Sequence, residues 1–275
     1  MKHFVLLVLI TFCLAHTKDA IVPPKFSLVT FAIKQSENNW QKELPLALKT
    51  ANALVNSFKS NLSSNYPNVT YLSKQYENSQ VTKERFEGSE TNDYNFVFYN
   101  GHGRVNAITM WKESTRVFNT SKSFGGKTYW VMLNSCLVFK NGESNQEPWF
   151  NGVHSILGYS SQSIWFSKSY RCGVLNLKTC HRYSYYTERD FASNWIKGKQ
   201  GIWESFKNAV SKNILKEGGY GVEPKIVYRY GNVDGKFFDP WEETFENSIQ
   251  KPVFKKAGEY AGIASRWVTM GTPKY

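Results

Sequence analysis

The sequence lacks the residue spacings that most often hold a zinc ion. Its 4 cysteines and 5 histidines include no Cys-x-x-Cys pair and no His-x-x-x-His pair, which are the spacings that bring several ligands to one ion. Internal repeats and low-complexity segments are missing too. We therefore expect no bound metal, no organic cofactor and a chain that folds around one core.

A long basic tract is also missing, although the chain carries a formal net charge of +12. Its lysines and arginines are spread along the sequence instead of forming a continuous run. Such a distribution predicts a basic surface that attracts anionic surfaces or glycans. It does not indicate a specific nucleic-acid site.

No segment beyond the amino terminus is apolar for long enough to span a bilayer. Residues 1–15 have a basic start and a short apolar stretch, which is typical of a secretory signal peptide. We expect cleavage near Ala15, with Ala20 as the later alternative, and a single domain over residues 21–275. The protein is therefore expected to be secreted and to have no membrane span.

Three Asn-x-Ser/Thr sequons occur in the sequence, at Asn61, Asn68 and Asn119. They would be glycan acceptors if the host is eukaryotic.

Two apolar runs each end close to a reactive side chain. Residues 96–103 read FVFYNGHG and contain His102, whereas residues 130–136 read WVMLNSC and end at Cys136. If both runs are neighbouring parallel strands, these two residues emerge together at the carboxyl edge of the sheet, where open α/β sheets bind ligands. A thiol needs a nearby base to become a thiolate. The pattern therefore predicts a cysteine nucleophile, and the Gly103 N–H is placed to face a developing oxyanion.

The cysteine count gives Cys136 a second distinction. Cys13 leaves with the predicted signal peptide, so three cysteines stay in the mature chain. Cys172 and Cys180 are the nearest pair in sequence, and a disulfide between them would leave Cys136 as a thiol. The alternative is that Cys136 is a buried core thiol or forms a disulfide with one of the others.

Apolar runs alternate with segments of helical periodicity along the chain. This alternation predicts an α/β fold, a three-layer α/β/α sandwich with a mainly parallel sheet. Besides the two runs above, we predict strands at residues 25–33, 69–72, 153–159 and 225–230, and helices at residues 39–60 and 195–215. His154 lies inside one predicted strand and is interpreted as a core histidine, and His181 as a surface residue.

The order of the His and Cys runs resembles the clan of cysteine peptidases that contains caspases, gingipains, legumains and the GPI transamidase. Residues 149–158 (WFNGVHSILG) also resemble a little-studied caspase-like domain family. The resemblance implies a caspase-like fold and a peptide or protein substrate. It makes Cys136 the nucleophile and His102 the general acid/base, with the backbone N–H groups of Gly103 and Cys136 as oxyanion donors.

Residues 156–165 are similar to the gingipain segment that walls the primary specificity pocket. The resemblance therefore assigns Ser160, Ser161 and Trp165 to the substrate pocket. Leu137 departs from the clan pattern, because it places a bulky apolar group where a small or polar one would leave the site more open. No acidic residue can be assigned to the base of the pocket from the sequence. A preference for cleavage at Arg or Lys, at Asn or at Asp is therefore left open.

Two other functions fit the sequence. A secreted binding protein for carbohydrate or anionic glycans would use exposed aromatic side chains, and the chain has 9 Trp and 16 Tyr. Transpeptidation would use Cys136 and His102 and depend on how well water is excluded. The polar loop at residues 141–148 is where we would expect an activating cleavage.

Overall fold

The computed structural model describes residues 22–270 with short gaps. The gaps are residues 113, 162–166, 173–177, 184–185, 214–220 and 257, and only the backbone is described for residues 167–172 and 178–183. The predicted signal peptide at residues 1–15 lies outside the described residues.

The described chain contains four α-helices and fifteen strands, joined by turns and short 3₁₀ helices. The helices are α1 (Ala47–Asn65), α2 (Lys83–Glu87), α3 (Tyr186–Ile196) and α4 (Ile202–Asn213). The strands are β1 (Lys25–Ala32), β2 (Thr70–Glu77), β3 (Phe96–Asn100), β4 (Gly103–Arg104), β5 (Ala107–Thr109), β6 (Arg116–Phe118), β7 (Phe124–Gly125), β8 (Trp130–Asn134), β9 (Phe150–Asn151), β10 (Ser155–Tyr159), β11 (Ser167–Cys172), β12 (Lys178–Tyr183), β13 (Pro224–Val233), β14 (Lys236–Phe238) and β15 (Gly262–Trp267).

The central sheet has the strand order β14-β13-β10-β8-β3-β1-β2, and β15 also pairs with β13. Strands β2, β1, β3, β8 and β10 run parallel to one another. Strand β13 is antiparallel to β10, and β14 and β15 are antiparallel to β13. The predicted α/β class with a mainly parallel sheet is therefore confirmed, with antiparallel strands at one edge.

The middle strands are covered on both faces. Every residue of β3, β8 and β10 is buried, and β1 is buried from Phe26 onward. Strands buried on both faces need continuous apolar sequence, which is why these segments read as unbroken hydrophobic runs.

Helices α1, α3 and α4 pack against one face of the sheet through an aromatic core. Phe26 of β1 and Trp130 of β8 contact Trp195 of α3, with ring centroids 6.3 and 5.0 Å apart. The ring of Phe58 in α1 packs edge-to-face against Trp195, with ring centroids 6.1 Å apart. This layer is the helical half of the predicted sandwich.

The opposite face is covered by smaller elements. Phe86 of α2 packs on Phe31 and Tyr99 of the sheet and on Phe124 of β7. Around this cluster, the β4-β5-β6 sheet, the β7-β9 pair and several 3₁₀ turns complete the layer. The second outer layer is therefore built from short helices and small sheets.

Some boundaries differ from the prediction. The segment predicted as one helix at residues 195–215 is the end of α3 followed by α4. The chain turns at Gly198, where a Cβ would lie 2.6 Å from the Asn194 carbonyl oxygen. The helix predicted from residue 39 begins at Ala47, because Pro45 disfavours helical backbone at the residue before it. Strand β15 was not predicted, since its half-exposed residues form no apolar run.

Candidate active site

The two reactive side chains follow neighbouring parallel strands, as predicted. Strand β3 pairs in parallel with β8, and their last residues, Asn100 and Asn134, are register partners. His102 and Cys136 each come two residues after those partners. Both residues therefore follow the carboxyl ends of neighbouring parallel strands, the edge at which open α/β sheets bind ligands.

The backbone after His102 is in contact with the backbone around Cys136. A Cβ placed on Gly103 would lie 2.6 Å from Ser135 Oγ and 2.8 Å from the Cys136 carbonyl oxygen. Real Cβ atoms do not approach other atoms this closely, so only glycine fits at position 103. The two segments predicted to supply the oxyanion N–H groups are therefore adjacent. Their role as donors stays a prediction.

The half-buried imidazole of His102 is oriented by a backbone carbonyl. Its Nε2 atom lies 2.6 Å from the Lys42 carbonyl oxygen. A carbonyl can only accept, so Nε2 carries a proton and donates it to the Lys42 carbonyl. The His102 carbonyl in turn accepts bonds from Thr109 N (3.0 Å), Thr109 Oγ1 (2.8 Å) and Tyr99 Oη (3.1 Å). His102 is therefore anchored through both its backbone carbonyl and Nε2, and Nδ1 is the other ring nitrogen.

Cys136 lies in the turn that follows β8. It is half-buried, and within the described part of the structure it forms no disulfide. The next residue, Leu137, has a left-handed backbone with φ of 60° and donates its N–H to the Ser161 carbonyl over 2.7 Å. A bulky residue in this conformation is strained, and such strain concentrates at functional sites. The backbone turn, and not a small side chain, therefore shapes this side of the site.

The predicted pocket segment leaves β10 at the same edge of the sheet. Ser160 Oγ donates to Glu223 Oε2 over 3.0 Å, and the Glu223 N–H donates to Ser161 Oγ over 2.8 Å. Both serines are therefore beside the Cys136 turn, and a carboxylate accompanies them. The role of the serines in substrate binding stays a prediction, and Trp165 lies outside the described residues.

A buried carboxyl group lies behind the strand ends. Asn134 Nδ2 donates to Glu188 Oε1 over 2.6 Å, and Glu188 is only 2% exposed. Burial raises the pKa of Glu188 to about 8. Tyr159, at the end of β10, is buried, and burial followed by the charges of Glu188 and Cys136 raises the pKa of its hydroxyl. The raised pKa favours the neutral form of Glu188 at neutral pH, and Tyr159 is within electrostatic range of both Glu188 and Cys136.

The three sequons differ in exposure. Asn68 is exposed in a turn before β2. Asn61 is half-buried in α1 and donates its Nδ2 to the Ser57 carbonyl. Asn119 is 6% exposed and donates its Nδ2 to the Asn145 carbonyl. Glycosylation stays a prediction at all three, and the geometry favours Asn68.

Strands β11 and β12, which carry Cys172 and Cys180, pair in antiparallel fashion. Cys172 is opposite Lys178, and Cys180 is opposite Tyr170. The two cysteines are thus two positions out of register, with side chains outside the described part of the structure. Their disulfide stays a prediction, as does the surface position of His181.

His154 is a fully buried core histidine, as interpreted from the sequence. Its Nδ1 lies 2.9 Å from Glu243 Oε2, and its Nε2 donates to the Lys251 carbonyl over 2.9 Å. Glu243 also accepts from Trp130 Nε1 and from the Ile249 N–H. This cluster stabilises the core and lies apart from the strand ends.

Sequence reasoning missed Lys42, Glu188 and Glu223. None of them follows an apolar run, and each reaches the site through the folding of a distant segment. Within the described residues, no group of three or more His, Cys, Asp or Glu side chains could hold a metal ion. The helices of that same part include none long and apolar enough to cross a membrane.

Comparisons with known proteins give one family match. A family described as "Domain of unknown function (DUF6345)" matches residues 33–180, a span that includes His102 and Cys136 and ends before Glu188. No curated protein matches the chain.

Two solved structures resemble it weakly. The crystal structure of caspase-1 from Spodoptera frugiperda is 10% identical, with 72% of this chain and 81% of that chain covered and a TM-score of 0.43. A structure of pro-sf-caspase-1 is also 10% identical, with 70% and 82% covered and a TM-score of 0.44. The strand order of the central sheet, and not either of these structures, identifies the α/β fold.

Proposed function

Because the chain belongs to the DUF6345 family, whose description names no activity, we infer its chemistry from its own residues. We propose that it is a secreted cysteine peptidase-like protein acting through Cys136 and His102. The observation that carries the proposal is the register of β3 and β8. Asn100 and Asn134 are partners in that register, and His102 and Cys136 each follow two residues later, which supports a site at this edge of the sheet. The resemblance of both runs to the caspase and gingipain clan supports the same roles.

The contacts of His102 suit it to act on the thiol. Because Nε2 donates to the Lys42 carbonyl, Nδ1 is the nitrogen that takes the proton of Cys136. The thiolate then attacks the carbonyl carbon of a peptide bond, and His102 returns the proton to the leaving amine as the C–N bond breaks. The product is a thioester on Cys136.

The thioester is then resolved by a second nucleophile. Water attacks its carbonyl carbon while His102 takes the water proton. The C–S bond then breaks, His102 returns that proton to the Cys136 sulfur, and the carboxylic acid product is released. An amine in place of water would give transpeptidation with the same residues. In both steps the adjacent backbones of Gly103 and Cys136 are where an oxyanion would be stabilised.

Alkylation of Cys136 followed by mass spectrometry tests the proposal. We expect iodoacetamide at pH 6 to label Cys136 in the folded protein, and His102→Ala to reduce that rate by tenfold or more, on the order of a lost general base. Lys42→Ala is the matched control, because only the backbone carbonyl of Lys42 orients the ring. Cleavage of a peptide library should be lost in Cys136→Ser. A Cys136 that is labelled only after denaturation would rule out the nucleophile.

A second function is favoured by a groove beside the small β4-β5-β6 sheet. The groove encloses about 590 Å³, and its lining includes Lys83, Lys112, Arg116, Trp111 and Phe118 together with Glu84. Among the described lining residues three cations outnumber one carboxylate, and this balance suits an anionic glycan. Under this alternative, Lys112→Ala would weaken binding to a sulfated glycan and Cys136→Ser would not. Peptide cleavage that depends on Cys136 would argue for the peptidase instead.

A further inference from the structure

Three buried polar side chains lie behind Cys136, on the face of the sheet covered by the long helices. Asn134 ends β8, Tyr159 ends the neighbouring strand β10, and Glu188 lies in the first turn of α3. None of the three is more than 3% exposed. Burial without full hydrogen bonding is costly, so a polar group of this kind requires an explanation.

The hydrogen bonds within this group are incomplete. Asn134 Nδ2 donates to Glu188 Oε1, but Asn134 Oδ1, Glu188 Oε2 and Tyr159 Oη have no partner among the described residues. If Glu188 were ionised, its Oε2 and the Asn134 Oδ1 would both be buried acceptors without a hydrogen-bond donor. A proton on Glu188 removes the charge from this buried carboxyl group, and burial of the neutral acid costs less than burial of the carboxylate.

The charges around Glu188 point the same way. In the described part of the chain no salt bridge includes Glu188. Arg189 and Asp190, its neighbours on α3, pair with each other, and Asp190 also pairs with Lys212 of α4. From the sheet side, the Tyr159 hydroxyl is within electrostatic range of both Glu188 and Cys136. A charge on Glu188 would therefore have no ion-pair partner among the described residues, and it would act on the same Tyr159 hydroxyl as Cys136.

We propose that Glu188 is a positioning residue for Cys136, a neutral carboxylic acid that fixes the Asn134 end of β8 and keeps negative charge away from the thiol. The inference rests on the proposed function, because it takes Cys136 as the reacting thiol. When Glu188 loses its proton, the new buried charge disfavours the thiolate. Since burial raises the pKa of Glu188 to about 8, this change falls in a measurable pH range.

The rate of Cys136 alkylation as a function of pH tests the inference. Iodoacetamide rates are measured by mass spectrometry from pH 6 to pH 9.5 on the full chain and on Glu188→Gln, which keeps the shape and cannot ionise. We expect the native rate to flatten above pH 8 and the variant rate to continue rising. At pH 9 we expect the variant to react about threefold faster, because no buried carboxylate opposes formation of its thiolate. Asp190→Asn, on the same helix, should keep the native profile.

Each outcome separates the two proposals. If Cys136 is labelled and both proteins give one profile, Glu188 has no such role and the peptidase proposal stands. If folded protein is not labelled at Cys136 at any pH, both proposals fail. Should Glu188→Gln not fold, carboxyl-carbon NMR of ¹³C-glutamate-labelled native protein decides: a glutamate that titrates between pH 7 and pH 9 supports the inference, and titration of all glutamates below pH 6 overturns it.

Discussion

Gly103 and Cys136 approach so closely that a Cβ on Gly103 would lie 2.8 Å from the Cys136 carbonyl oxygen. This contact joins the segment that follows the base to the turn that carries the thiol. Space, and not an unusual backbone angle, requires glycine here. The relative position of His102 and Cys136 therefore depends on residue 103 having no side chain.

We expect Gly103→Ala to separate the two segments. The added methyl would collide with Ser135 and the Cys136 backbone, and overpacking of this kind destabilises by about 1–3 kcal/mol. The alkylation rate of Cys136 at pH 6 should fall about tenfold as its base is displaced. Gly142→Ala is the control, because no atom lies within 4 Å of its Cβ position. Equal rates in the two variants would mean that the contact does not hold the site together.

Glu188 should make the protein less stable as pH rises. Burial raises its pKa from 4.5 to about 8, so between these values the folded state holds a proton that the unfolded state has lost. The free energy of unfolding then falls with pH across this window and levels off above it. The loss is on the order of a few kcal/mol.

Urea unfolding at pH 4.5 and pH 8.5 measures this loss. Glu188→Gln should gain stability relative to the native protein at pH 8.5 and show little gain at pH 4.5. Because other carboxyl groups titrate as well, the difference between the two proteins is the informative quantity. A difference that is the same at both pH values would contradict the raised pKa.

Lys122 should have the opposite effect. It is 4% exposed, and burial lowers its pKa from 10.5 to about 8. Between pH 8 and pH 10.5 the unfolded state binds the proton that the folded state lacks, so stability rises with pH there. The rise is on the order of 2 kcal/mol. Urea unfolding at pH 7.5 and pH 10 measures this rise in stability. Lys122→Met should abolish the rise, whereas Lys127→Met, at an exposed position, should not.

The strands of the site could be predicted because their signal is local. Residues 96–100 and 130–134 are fully buried on both faces, which demands continuous apolar sequence, and His102 and Cys136 follow at equal distance. The helix α3 carries a weaker signal. Its buried positions include Glu188 and Asp190, and buried carboxyl groups interrupt the apolar period by which a helix is recognised.

The partners of the site could not be predicted, because each comes from a distant part of the chain. Lys42 lies 60 positions from His102, Glu188 lies 54 from Asn134, and Glu223 lies 63 from Ser160. The contribution of Lys42 is a backbone carbonyl, so its side chain gives no signal at all. These contacts depend on how the layers pack and not on any local pattern.

Glu243→Ala should strongly destabilise the core. The Glu243 carboxylate accepts from His154 Nδ1, Trp130 Nε1 and the Ile249 N–H, and its loss leaves these buried donors without their acceptor. Each buried donor left without an acceptor costs about 1–3 kcal/mol. Asp234→Ala is the control, because this carboxylate pairs with Lys251 while 75% exposed and should contribute less than about 1 kcal/mol. Similar midpoints in urea unfolding would mean that the cluster does not stabilise the fold.

Exposure should decide which sequon carries a glycan when the chain passes through a eukaryotic secretory pathway. We expect Asn68 to be glycosylated, because it is exposed in a turn. Asn119 should not be, because it is buried and its Nδ2 is bonded to the Asn145 carbonyl, so a glycan there would prevent folding of the β6 region. Glycosidase treatment should lower the mass of the native protein and of Asn119→Gln, and the shift should be smaller or absent in Asn68→Gln. A glycan found on Asn119 of folded protein would contradict the buried position of that side chain.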